Sequence, residues 1–207
     1  MHEVSDQPGD EQGGEPAPGR GGEPGGLDTG GERVALYDPS EPAGRVTGSA
    51  PRRRVRSRNL PHAATGVLLR DGHGRVFVHR RTGTKDVHPG AHDCLAGGVV
   101  GAGEDVEEAA RRELAEELGV GSVALRPVLR RWYRDEVTHY LAHVYEAWWD
   151  GRPLVLQASE VAAGWWEPAR SLRERLADPS WPFVPDSRAL LAAWPRWWED
   201  PGAPPGP

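Results

Sequence analysis

The chain has 207 residues and a formal net charge of −6, which suits one domain with a tail. Its 27 Gly and 20 Pro against 37% apolar residues predict that part of it stays unpacked. One cysteine excludes an internal disulfide framework and a Cys-rich zinc site. No apolar run of about 18 residues predicts a membrane span, and no apolar leader predicts a secretory signal, so the cytoplasm is the expected compartment.

Residues 1–31 carry Glu3, Asp6, Asp10, Glu11, Glu15, Glu23 and Asp28 against Arg20, which sums to −6 and leaves 32–207 neutral. This Gly-, Glu- and Pro-rich stretch has too few apolar side chains to offset its ordering entropy and reads as a disordered tail. The neutral remainder gives no reason to expect nucleic acid as a partner. Its local exception is Arg52-Arg53-Arg54-Val55-Arg56-Ser57-Arg58. That block reads first as a solvated basic helix or turn, with an anionic-ligand or RNA contact as the competing reading. Of 25 basic residues only Lys85 is lysine, a flexible point charge where the chain otherwise uses the planar fork of arginine.

In chain order, Arg33–Tyr37 and Gly44–Thr47 read as two short strands of a leading hairpin over 32–48. Ala63–Leu69 is apolar enough for a buried strand, Asp71-Gly72-His73-Gly74 is a hairpin turn, and Arg75–His79 returns. A polar loop covers 82–93. Asp105 with Glu108 three residues later fits a helix start, and Gly119 fits its left-handed end, which predicts a helix over 106–118. Strands follow at 123–133, 137–148, 154–156 and 161–166, then helices at 168–177 and 186–194. The order predicts an α+β or α/β/α sandwich with a mixed sheet. The domain is expected over 32–196, with its core at 60–194 and a loose end at 197–207. The nine Trp gather in the later part, where core packing, a dimer surface and base stacking compete.

At about 100° per residue, Val106, Ala110, Leu114 and Leu118 form the apolar stripe of the helix over 106–118. Glu113 and Glu117 fall on the edge of that stripe, and Glu116 lies with them. Like charges at these spacings repel, and partial burial raises the cost unless a cation is supplied. Hard divalent cations suit such an oxygen set. A metal site and an ordinary acidic surface both fit the wheel.

The spacing adds more. Gly98, five residues, Glu104, seven residues, then Arg112-Glu113-Leu114-Ala115-Glu116-Glu117-Leu118-Gly119-Val120 resembles the Nudix box of the Nudix hydrolase family at every defined position. The resemblance implies an α/β/α fold and a divalent-metal-dependent hydrolase of a diphosphate linkage in a nucleoside diphosphate derivative or similar compound. It implies Mg²⁺ (or Mn²⁺) held by Glu113, Glu116, Glu117 and the Gly97 carbonyl, with Arg112 orienting the carboxylates. Glu104 would hold the loop to the helix, and Glu160 would add an acid near the metal or water.

His62, Arg80-Arg81, Lys85 and Pro89-Gly90 are similar to the isopentenyl diphosphate isomerase branch, which implies that Arg81 and Lys85 contact the diphosphate. The positions of that branch's catalytic cysteine and a metal-binding histidine hold Gly97 and Val99, so a hydrolase on an isomerase-like frame is expected. Cys94 reads as a small buried residue. An isomerase and a non-catalytic ligand-binding Nudix domain are the alternatives. The expected partners are a small-molecule diphosphate and, in a homodimer, a second copy of the chain. Tyr133, Trp165 and Phe183 are candidates for stacking a base.

Overall fold

A computed structural model describes residues 31–85, 87–195 and 197–199. The expected tail at 1–31, but for its last residue, and the terminal 200–207 lie outside the described residues. The strands are β1 (Arg33–Tyr37), β2 (Val46–Pro51), β3 (His62–Arg70), β4 (Arg75–Arg81), β5 (His92–Asp93), β6 (Leu95–Ala96), β7 (Arg126–Arg134), β8 (His139–Trp148) and β9 (Val161–Pro168). The helices are α1 (Arg52–Ser57), α2 (Val106–Leu118), α3 (Ala169–Leu176) and α4 (Pro185–Ala193). No helix among the described residues is long and apolar enough to cross a membrane.

β3 is the spine of a mixed sheet. It runs parallel to β8 along its whole length, from His62↔Tyr140 to Arg70↔Trp148. It also pairs antiparallel with β1 and β6. The turn at 71–74 returns the chain as expected, but β3 and β4 pair only at Arg70↔Val76. β4 then leaves to pair with β9 and β5, so the sheet opens into two wings.

The sheet is buried on both faces, which is why β3 reads as a continuous apolar run. Val67 and Leu69 pack with Ala110, Leu114 and Leu118 of α2. Leu68, one pleat away, packs with Ala169 and Leu172 of α3 and with Leu190 and Leu191 of α4. The result is the expected α/β/α sandwich.

α2 begins and ends where the sequence places it. The Asp105 side chain accepts from the Glu107 and Glu108 amides, and Gly119 closes the helix at φ 72°. Other boundaries move for local reasons. β2 starts at Val46 because Gly44, at φ 73°, still belongs to the turn. β8 starts at His139 because the Asp135 carboxylate binds the Val137 and Thr138 amides at 2.9 and 2.7 Å.

The strand expected at 154–156 is absent. The Val155 and Gln157 amides donate instead to the carbonyls of Leu118 and Glu117, at 3.1 and 2.9 Å. That segment caps the end of α2, where carbonyls lack helical partners. Trp197, expected in a loose end, is buried, and its carbonyl accepts from Arg70. The packed structure therefore reaches at least that residue.

Candidate functional site

One cleft of about 550 Å³ opens between α2, the 82–90 loop, α1 and the N-terminal end of α4. It is lined by the nine residues that the sequence offers for catalysis, metal and diphosphate: Arg81, Lys85, Gly97, Glu104, Arg112, Glu113, Glu116, Glu117 and Glu160.

The edge-of-stripe argument holds for two of the three helix carboxylates. Glu117 is buried, Glu113 is half-buried and Glu116 is exposed. Glu117 accepts from the Gly97 amide at 3.3 Å and makes no ion pair among the described residues. Burial pushes its carboxyl up to about 7, Glu113 and Asp93 add to that, and Lys85 and Arg81 oppose it. Burial also raises Glu113, against the pull of Arg112.

Arg112 ties the box together. It reaches Glu104 Oε1 at 2.8 Å, Glu113 Oε1 at 2.7 Å and Glu116 Oε2 at 3.4 Å. Glu104 also accepts from the Gly101 amide at 2.8 Å. The Arg112 bond and that amide hold its carboxyl below the usual range. Glu104 thus bridges Arg112 of the helix and the Gly101 amide of the preceding loop.

Gly97 and Gly98 differ in what a side chain would meet, fixed backbone at the first and the movable end of Glu113 at the second. A Cβ on Gly97 would lie 2.0 Å from the Thr65 carbonyl oxygen, and one on Gly98 would lie 2.4 Å from Glu113 Oε1. Glycine here lets the strand edge and α2 approach.

Among the described residues, no three Asp, Glu, His or Cys side chains are gathered closely enough to cage an ion. Glu113 and Glu116 are turned onto Arg112 instead. The donor set still fits a hard divalent cation, because it is all oxygen and its most buried member makes no ion pair among the described residues.

Lys85 forms an ion pair with Glu160. Burial, then Arg81, lowers its ammonium pKa. Arg81 donates to the Val87 carbonyl at 3.1 Å and stands 4.0 Å from Asp93. Its Nε is buried without a partner.

The structure also adds residues to the cleft. Arg52 and Arg56 of α1 line its mouth, while Val55 anchors the helix in the core. The basic block is therefore not simply a solvated face. His62, His88, Tyr140 and Asp186 line the cleft too. His88 and Asp186 carry no spacing signal, since the fold alone brings them together.

Tyr133, Trp165 and Phe183 are not among its lining residues. Trp165 and Phe183 pack instead with the His92–Trp181 group, and Tyr133 packs on Tyr140. Cys94 lies in the core with its thiol pushed well up by burial, so it acts as the small apolar residue expected.

Fold and site define an α/β/α protein with a carboxylate-rich helix on an anion-lined cleft. The NUDIX domain model matches residues 60–187. An uncharacterized Nudix hydrolase of Rhodococcus erythropolis, orf19, is 48% identical over 172 residues, covering 78% of this chain and 90% of that protein. The Escherichia coli K12 Nudix hydrolase YfcD, also described as uncharacterized, is 36% identical over 149 residues, covering 72% of this chain and 80% of that protein. The crystal structure of DR0079 from Deinococcus radiodurans superposes with a TM-score of 0.66 at 26% identity, over 80% of this chain and all of that one (100%). The chain belongs to the Nudix hydrolase family, whose members generally use a divalent metal.

Proposed function

We propose that the protein is a Mg²⁺-dependent hydrolase, with Mn²⁺ as a substitute, that cleaves a diphosphate linkage in a nucleoside diphosphate derivative or similar small molecule. The observation that carries this reading is Glu117, a buried carboxylate with no ion pair among the described residues, facing the cleft that Arg81 and Lys85 share. Glu113, Glu116, Glu117 and the Gly97 carbonyl are the residues that would hold the ion. Bound there, it supplies neutralisation of the diphosphate and acidification of water.

The chain's own groups do the rest. Arg81 and Lys85 bind the non-bridging oxygens, and Lys85 leaves Glu160 to do so. Arg112 fixes the orientation of Glu113 and Glu116. Water oxygen bonds to phosphorus, the bridging P–O bond breaks, and a carboxylate of this set, Glu160 included, takes the proton.

The test is release of the cleavage products, resolved by chromatography, from ADP-ribose, dinucleotide cofactors, nucleoside triphosphates, coenzyme A and isopentenyl diphosphate: two phosphomonoesters from a substituted diphosphate, and phosphate or pyrophosphate from a terminal one. It compares the parent chain with Glu117→Gln, with and without Mg²⁺. Metal-dependent release that Glu117→Gln abolishes supports the reading. Release that persists without metal or in Glu117→Gln refutes it.

A further inference from the structure

The end of the cleft away from the carboxylate helix has its own chemistry. The β3–β8 ladder supplies a ruler. Glu117 binds the Gly97 amide, beside the Thr65 carbonyl, and Thr65 pairs with His143. Three residues along the same ladder, His62 pairs with Tyr140, whose hydroxyl donates to Asp186 Oδ2 at 2.7 Å. At the rise of a strand this is about 10 Å from the Thr65 level. Tyr140 and Asp186 line the same cleft as Glu117 and stand toward the far end of that ladder, where a group attached to a bound diphosphate would lie.

His88 faces the same compartment. It lines the cleft, and its Nε2 is buried without a hydrogen-bond partner among the described residues. Its backbone sits at φ 50°, a left-handed conformation that costs a non-glycine residue free energy. The Arg81 bond to the neighbouring Val87 carbonyl holds the loop in place. Burial, then the charge of Asp93, raises the Asp186 carboxyl pKa, and Tyr140, the Ser187 amide and His88 oppose them. Asp186 Oδ1 accepts from the Ser187 amide at 3.0 Å, so with Tyr140 on Oδ2 each oxygen keeps a free lone pair. The remaining walls, Val184 and Leu190, are apolar.

We propose that His88 and Asp186 are specificity-determining residues that hydrogen-bond the hydroxyl groups of a sugar attached to the diphosphate. This inference rests on the diphosphate reading and names the chemistry of the attached group. A hydroxyl bonds to the free lone pairs of the Asp186 carboxyl and also pairs with the ring nitrogen, as a ribose hydroxyl does with an acidic side chain elsewhere. Val184 and Leu190 take the carbon skeleton. An alkyl chain satisfies neither polar group and leaves both buried at a cost. An ammonium group would meet the Arg81 guanidinium in the same cleft.

The experiment uses the full chain carrying Glu117→Gln, with Mg²⁺, and measures by calorimetry the Kd of ribose 5-diphosphate and of n-pentyl diphosphate. The two probes share a five-carbon skeleton and differ in their hydroxyls and sugar ring. The expected result is tighter binding of the ribose probe by about 10- to 100-fold. That ratio should collapse toward one when His88→Gly or Asp186→Asn is added. Glycine accepts the left-handed backbone, and asparagine keeps the shape of Asp186, so neither variant should fail for steric reasons. Equal binding of the probes, binding of neither, or a ratio that both variants leave unchanged overturns the proposal. Turnover by the parent chain is scored separately, so failure of the hydrolase reading is distinguishable from failure of this one.

Discussion

Replacing Glu146 by Gln should be among the most damaging isosteric changes in the protein. Arg70 and Glu146 form an ion pair inside the sheet, at 1% and 0% side-chain exposure. Arg70 also donates to the carbonyls of Gly74, at 3.1 Å, and Trp197, so it links β3, the 71–74 turn and the C-terminal segment. Arg126 reaches the other oxygen of Glu146 from a half-exposed position. The arrangement is asymmetric. Without Arg70, Glu146 keeps Arg126. With Gln at 146, Arg70 has no other ion pair among the described residues and stays buried.

Breaking a buried pair in this way costs about 3–5 kcal/mol. For a chain of this size that lowers Tm by roughly 6–20 °C. Urea and thermal denaturation followed by circular dichroism measure both quantities. In an Arg70→Met background the same Glu146→Gln change should cost less, with a coupling energy of about 2 kcal/mol. A loss below about 1 kcal/mol for Glu146→Gln alone, within the range of an exposed pair, would refute the argument that burial gives this pair its weight.

The glycine pair separates stability from function. Gly98→Ala meets only the movable end of Glu113, so the fold should persist while turnover falls about 100-fold through displacement of that carboxylate. Gly97→Ala meets the backbone of Thr65 and should lower the melting temperature as well. A Gly98→Ala protein with full activity would remove Glu113 from the machinery. Acid sensitivity follows from His79 and His143, which burial holds at about 3 and about 4. The unfolded chain returns both to about 6.5 and binds more protons, so stability falls as pH drops below that value. His79 alone accounts for about 2 kcal/mol between pH 7 and 5. In His79→Leu the urea midpoint should change less over that interval, and an unchanged pH dependence would contradict the burial argument. Cys94 should resist thiol reagents in the native protein and react in urea, and Cys94→Ala should leave turnover unchanged. Loss of turnover with the melting temperature unchanged would contradict the reading of Cys94 as a packed apolar residue.

What the sequence makes legible is what its signals encode locally. The Asp105 cap, the Val106–Leu118 stripe and Gly119 all act within one helix, so α2 and the edge positions of Glu113 and Glu117 could be read without tertiary information. The box spacing worked for the same reason: a loop and its helix carry Gly98, Glu104 and Arg112 within one continuous stretch. The 154–156 segment misleads because its apolar run has the composition of a strand, while its neighbouring amides go to the carbonyls that α2 leaves open. The far end of the cleft is silent in sequence because it is made by pairing. Tyr140 and Asp186 lie 46 residues apart and meet because β8 lies parallel to β3 while α4 packs across the same face. His88 reaches them from a third segment, held by a side-chain bond from Arg81. Each of these residues taken alone reads as an ordinary surface or core position. The carboxylate helix of such a cleft is therefore written in one motif, and its far end is written in the topology.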